Sequence, residues 1–141
     1  MRQAWITPRI VYALALLLAG CTSAPKAAGP ASGIVGPVWV AEDIAGTAAG
    51  AEAPITLQLG ADGRASGRGG CNGYGGGYTL AGDALSFGPM MSTKMACAPE
   101  LMDREQRYFQ TLAHVAHFAV ADDGALLLTT ADGRTIRFRR Q

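Results

Sequence analysis

The chain has 141 residues, with 12 lysines and arginines, 11 aspartates and glutamates, and a formal net charge of +1. This near balance excludes the strongly basic surface of a typical nucleic-acid-binding domain. The length suffices for one domain with a hydrophobic core, but not for two.

The first 20 residues have the pattern of a secretory signal peptide. Arg2 and Arg9 precede an apolar run, IVYALALLLA at 10–19, which is followed by small residues typical of a cleavage site. The run is too short to span a bilayer, which takes roughly 20 residues. The letters LAGC at 18–21 resemble the lipobox of bacterial lipoproteins. We therefore predict a lipoprotein signal peptide at 1–20 and lipidation of Cys21; the alternative is an ordinary signal peptide followed by an incidental cysteine.

Residues 21–36 are predicted to form a lipidated, flexible tether, because they are rich in Ala, Gly, Ser and Pro and show no hydrophobic period. Acyl chains on Cys21 would anchor the protein to a membrane. Thr22, where inner-membrane lipoproteins carry Asp, favours the outer membrane, with the domain facing the periplasm. Loss of Arg2 and Arg9 leaves ten basic residues against 11 acidic ones, so no electrostatic attraction to anionic lipid is expected beyond the anchor.

From residue 37 onward the sequence predicts antiparallel β-structure. Asp-Gly pairs at 62–63 and 132–133, and turn signals at 80–84 and 121–125, indicate four hairpin connections, because these residues accept the positive φ of tight turns. Consecutive hairpins favour a meander over βαβ units. The strand-like runs are 38–45, 55–59, 78–80, 84–87, 117–121, 125–130 and 135–140.

One segment has the period of a helix instead. Apolar residues recur at intervals near 3.6 along 99–115, and Pro99 suits a first helical turn. The apolar positions are Leu101, Met102, Tyr108, Phe109, Leu112 and Val115. The fold class is therefore predicted as mainly β with one amphipathic helix at about 99–115.

The stretch RGGCNGYGGGY at 68–78 holds six glycines. It lacks the lysine of a P-loop and the spacing of G-x-G-x-x-G, so phosphate binding is not expected. We interpret the glycines as bulges, a tight turn and close backbone approaches at a junction between strands.

Cys71 and Cys97 remain once Cys21 is assigned to lipid. In an exported protein two such cysteines are expected to pair, and closing a loop of this length contributes roughly 3 to 4 kcal/mol. Two alternatives are a Cys71 nucleophile activated by a histidine and a zinc site of both cysteines with His114 and His117. Neither shows the local spacing of such sites, so we predict no catalytic residue, no cofactor and no metal.

The segment SGRGGCNGYGGGYTLAGDALSFGPMMSTKMACAPELMDREQRYFQTL at 66–112 resembles the core of the META domain, the family of HslJ-like bacterial lipoproteins. The resemblance also includes an opening Trp39, a T-x-M-x-C at 93–97, and a helix carrying Glu105, Tyr108 and Phe109. It covers 37–141 and implies a compact antiparallel β-barrel-like domain with one helix. The motif residues beside the cysteines are Gly67, Gly70, Asn72, Tyr74, Gly76, Tyr78 and Thr93.

The resemblance further implies a role in the cell envelope in tolerance of stress, such as heat shock or antibiotics, without an established enzymatic activity. We therefore expect a lipid-anchored envelope protein that is not an enzyme, with a monomeric domain that contacts an envelope protein partner and no nucleic acid. The alternative is a barrel that binds a small molecule or inhibits an enzyme, because small barrels can hold a ligand at their mouth.

Overall fold

The computed structural model describes residues 33–141; the predicted signal peptide, Cys21 and most of the predicted tether lie outside this range. The described residues form ten strands and one helix. Their bounds are β1 Val38–Ile44, β2 Thr47–Ala48, β3 Thr56–Leu59, β4 Arg64–Arg68, β5 Gly73–Ala81, β6 Ala84–Phe87, β7 Met91–Ser92, α1 Pro99–Leu112, β8 Val115–Val120, β9 Leu126–Thr130 and β10 Thr135–Arg140.

Eight of the strands form a closed antiparallel barrel. Their order around the barrel is β1, β3, β4, β5, β6, β8, β9 and β10. The last strand returns to the first, with register pairs from Trp39↔Arg140 to Ile44↔Ile136. The two short strands pair outside this order: β2 is antiparallel to the end of β1, and β7 is antiparallel to β5. The prediction of a mainly β, barrel-like fold with one helix is confirmed.

The four predicted hairpin turns connect β3 to β4, β5 to β6, β8 to β9, and β9 to β10. In the two Asp-Gly turns the glycine has a positive φ, 78° at Gly63 and 87° at Gly133. Most residues other than glycine rarely adopt a positive φ, so the glycine of each Asp-Gly pair indicates a tight turn in the sequence.

The helix is shorter than predicted. It ends at Leu112 rather than near 115, and the backbone amides of Ala113 and His114 bond to Phe109 and Thr111 in its final turn. Val115 is instead the first residue of β8 and is buried. The helical spacing of apolar residues in the sequence continues to Val115 because the end of α1 and the start of β8 both bury side chains in the same core. The spacing alone therefore does not show where the helix ends.

The glycine-rich stretch is mostly strand. Only residues 69–72 form the connection, while 73–78 belong to β5, whose predicted start was 78, and β4 was not predicted at all. β4 and β5 pair over five register positions. Glycine has low strand propensity, so the residues of β4 and the first half of β5 give little indication of a strand in the sequence. They form strands because they pair with each other within the barrel.

Side chains fill the interior of the barrel, as expected for eight strands. Trp39, Leu57 and Phe138 are 1%, 0% and 0% exposed. The helix adds Tyr108 and Leu112 to the same core. Burying a large apolar side chain contributes about 1.5–3 kcal/mol, so the core is the main source of stability, and α1 packs as part of it.

Candidate functional site

The connection between β4 and β5 brings the sequence motif close to the helix. Gly69 donates its backbone amide to Asn72 O at 2.7 Å, which closes the turn. Gly70 has a φ of 110°. A Cβ at Gly69 would come within 2.9 Å of the Glu105 and Phe109 side chains. The turn therefore lies directly against one face of α1, and glycine permits that approach.

Asn72 is the centre of a buried polar cluster. Its backbone amide and its Nδ2 donate to the two carboxylate oxygens of Glu105 at 2.6 and 2.7 Å. Its Oδ1 accepts from Thr93 Oγ1 at 2.9 Å and from the Met95 amide at 2.7 Å. Asn72 is 5% exposed and Glu105 8%. One asparagine thus joins the turn, the helix and the segment at 93–95.

The predicted pairing of Cys71 with Cys97 is confirmed. The two form a disulfide across 26 positions of sequence, fastening the turn to the residues that precede α1. Since both sulfurs are bonded to each other, neither is a thiolate for a nucleophile or for the alternative zinc site. The ring nitrogen Nδ1 of His114 lies 2.8 Å from Gln110 O, and that of His117 lies 3.8 Å from Asp83.

Two buried tyrosines, Tyr74 and Tyr108, form a further polar contact through their hydroxyl groups. Tyr74 donates its hydroxyl to Thr56 O at 2.8 Å, so the Tyr108 hydroxyl supplies the proton in the 2.6 Å contact between them. Burial raises the pKa of both phenols above the ordinary value for tyrosine. Both are therefore neutral, and their rings pack edge to face at 5.7 Å.

The remaining motif residues are spread along the strands. Gly67 allows β4 to approach the Thr56 carbonyl and the Tyr74 hydroxyl, and Gly76 allows β5 to approach Met90 and Pro89. Tyr78 donates to Gly60 O at 2.7 Å, away from the cluster. The structure thus brings together the residues at 70–74 and 93–97, while Gly67, Gly76 and Tyr78 support neighbouring strand contacts.

Glu105 is the principal site residue that the sequence analysis did not predict. It appeared only within the family pattern, although its carboxylate accepts both Asn72 donors. Its position on the helix offered one signal, because it lies one turn before Phe109 on the buried face. Its partner lies 33 positions away, so no local pattern connects them.

An apolar cavity lies beside this cluster. It has a volume of about 420 Å³. Its lining comes from the stretch between the end of β6 and the end of β7, and from the C-terminal end of α1 with the residue that follows it. It consists of Phe87, Gly88, Pro89, Met90, Ser92, Phe109 and Ala113. None of these residues was predicted as a site, because a cavity between distant segments leaves no motif.

Within residues 33–141, no group of three or more His, Cys, Asp or Glu side chains is placed to hold a metal ion. In the same range, α1 is too short and too polar to cross a bilayer.

A family model described as META domain matches residues 33–141. The fold is similar to the NMR structure of a protein from Burkholderia xenovorans, with 31% identity and a TM-score of 0.64 over 96% of this chain and 99% of that one. A second NMR structure matches at 24% identity and TM-score 0.59, covering 73% and 87% of the two chains.

A crystal structure of a DUF4847 family protein from Bacteroides vulgatus matches at 15% identity and TM-score 0.57, covering 77% and 96% of the two chains. At these lower identities, the second and third similarities establish the fold alone. No curated protein matches the chain.

Proposed function

The chain belongs to the META domain family, and we propose that it is a lipid-anchored, non-catalytic protein of the cell envelope that supports tolerance of stress by binding other proteins. The observation that carries the proposal is the use of the motif's polar groups. Asn72, Thr93 and both oxygens of Glu105 are engaged with one another or with backbone amides. Groups that are fully engaged in holding segments together are poorly suited to act as a nucleophile or a base.

The disulfide supports export. Disulfides persist in oxidising compartments such as the periplasm and are rare in the cytosol. Cys71–Cys97 therefore agrees with the predicted signal peptide, and Cys21 is the cysteine left for lipid. Fractionation of cells that express the chain and its Cys21→Ser variant tests the anchor: the parent should enter the membrane fraction, and the variant should not.

Exposed apolar side chains support a role in protein binding. Met91, Met95 and Met102 are 81%, 50% and 46% exposed. Flexible methionines on a surface are typical of protein-binding sites. Crosslinking in the native envelope, followed by capture of the chain, should yield a defined partner. Turnover of a substrate by the purified protein in a broad hydrolase panel would contradict the proposal.

A second candidate is the binding of a small apolar compound, which the cavity beside α1 favours. Its volume of about 420 Å³ lies within the range of about 300–1,000 Å³ found for ligand sites. A thermal-shift screen distinguishes this candidate, because a ligand that binds only the folded state raises the melting temperature.

A further inference from the structure

The barrel is closed, but its ladder of paired residues is shortest between β6 and β8. Among the described residues, a single register pair, Ala84↔His117, joins these strands, and the Phe118 amide donates to Asp83 O at 3.0 Å. The neighbouring pair β8–β9 has five register positions. Ser86 and Phe87 therefore continue β6 without a register partner on β8, and we call this interruption the seam.

The apolar cavity lies at the seam. Phe87 at the end of β6, Met90 just before β7 and Ser92 in β7 line one side, while Phe109 of α1 and Ala113, the residue after its end, line the other. β7 pairs with β5 along one edge, and no strand among residues 33–141 pairs with its other edge. The cavity is thus bordered by a strand segment with an unpaired edge and by a helix.

We propose that this groove binds an extended peptide segment, which pairs with Phe87 and with β7 on either side of Pro89, a residue without a backbone amide, and places an apolar side chain in the cavity. Strand addition to an exposed sheet edge is a common mode of peptide recognition, in which backbone hydrogen bonds supply affinity and pockets select side chains. The added strand would continue the β6–β8 ladder from the position where it stops.

The unpaired backbone groups at this edge favour a peptide over a hydrocarbon as the ligand. Backbone amides and carbonyls are obligatory hydrogen-bonding groups, and an acyl chain offers neither donor nor acceptor to them. A peptide backbone carries both at the spacing of a strand. The cavity accounts for one or two apolar side chains of the peptide, and Met91, exposed beside it, can adapt to their shape.

This inference deepens the proposed protein-binding function and depends on it. The test uses the full chain in detergent micelles. Its ligands are a panel of fluorescent nine-residue peptides with blocked chain ends, in which apolar and polar residues alternate. We expect members with Leu or Phe at the centre to bind, and the same peptides to lose binding by about tenfold or more when alternate backbone nitrogens are methylated. Methylation removes donors while leaving the side chains in place.

Ala113→Trp places a bulky ring in the cavity from an exposed helix end, so it should weaken peptide binding by about tenfold or more without disturbing the core. Ala131→Trp, at an exposed turn distant in sequence, is the matched control and should bind normally. Four results would overturn the proposal: no binding by any peptide up to about 1 mM, equal binding of the methylated peptides, equal binding by Ala113→Trp, or tighter binding of the fatty acid laurate than of every peptide.

Envelope crosslinking of the same variants separates this proposal from the broader function. If Ala113→Trp captures the same partner as the parent chain, protein binding stands and the groove is not its site. If neither captures a partner, the broader function fails.

Discussion

Asn72 satisfies two oxygens of Glu105 and two donors of the 93–95 segment at once. Buried networks of this kind are stable when every group is paired and costly when one is not. The sequence analysis named Asn72 among the motif residues but did not predict its pairing with Glu105, because the two become neighbours only when α1 packs against the turn.

Glu105→Gln should destabilise the domain by about 2–3 kcal/mol, since it replaces two charge-assisted hydrogen bonds and turns an amide donor toward the donors of Asn72. Urea denaturation followed by circular dichroism measures the loss. Glu100→Gln, exposed in the first turn of the same helix, is the control and should change the free energy by less than about 1 kcal/mol. Equal effects of the two substitutions would show that the buried carboxylate has no special role.

The buried tyrosines make stability depend on alkaline pH. Burial raises the pKa of Tyr74 and Tyr108 in the folded protein, while an unfolded tyrosine ionises near pH 10. Below about pH 10 both states hold these protons, so the pair contributes no pH dependence. Above it the unfolded chain releases protons that the folded one keeps, and stability falls by about 1.4 kcal/mol per pH unit for each tyrosine.

Denaturation of the parent and of Tyr108→Phe at pH 8 and at about pH 11 measures this dependence. The variant should lose less stability between the two pH values, because one of the two raised groups is gone. Identical losses would place the dependence elsewhere in the protein.

At the scale of elements, adjacent glycines in β5 have different roles. A Cβ at Gly76 would lie 2.6 Å from the Met90 sulfur and 2.8 Å from Pro89 O, whereas a Cβ at Gly77 would meet no atom within 4 Å. We therefore expect Gly76→Ala to destabilise the protein by about 1–3 kcal/mol through overpacking. Gly77→Ala should leave stability unchanged or raise it by up to about 1 kcal/mol. Thermal denaturation of the two variants compares them directly, and equal shifts would contradict the assigned contact.

The disulfide joins the turn between β4 and β5 to the segment that precedes α1. Replacing both Cys71 and Cys97 with Ala should lower the free energy of unfolding by roughly 3 to 4 kcal/mol, because the unfolded chain regains the freedom of a loop that the bond had closed. Denaturant titration under non-reducing conditions measures the difference. If adding a reductant to the parent protein causes no comparable loss, the bond contributes little in solution.

Elements were predictable where local chemistry defines them. The Asp-Gly turns and the strands at 84–87 and 135–140 were predicted at their observed positions. β4 and the first half of β5 were not, because Arg64–Arg68 and the glycines at 73–77 become strands only by pairing with each other. The end of α1 was missed for a related reason, since Leu112 and Val115 enter one core from two elements.

For the whole molecule, the distribution of strand pairing predicts where the barrel opens first. The closing pair β1–β10 has five register positions, and β6–β8 has one. Local opening requires less free energy where fewer hydrogen bonds and contacts must break. The amide of Phe87, which faces β8 rather than β5, should therefore exchange with deuterium faster than those of Val40 and Ala41. Equal protection at both places would indicate that the wall opens only by global unfolding.

Closure of the barrel also places the two described ends of the domain together. Arg140 donates to Gly33 O at 3.0 Å, and the Gln141 amide donates to Val38 O at 2.9 Å. A short linker could therefore join residue 141 to residue 33, and new termini could be opened in the exposed turn at 131–134 with every strand keeping its neighbours. Such a circular permutant would retain the barrel while moving its chain ends to another position around the ring, so a partner fused to those ends would project in a different direction without any change to the core.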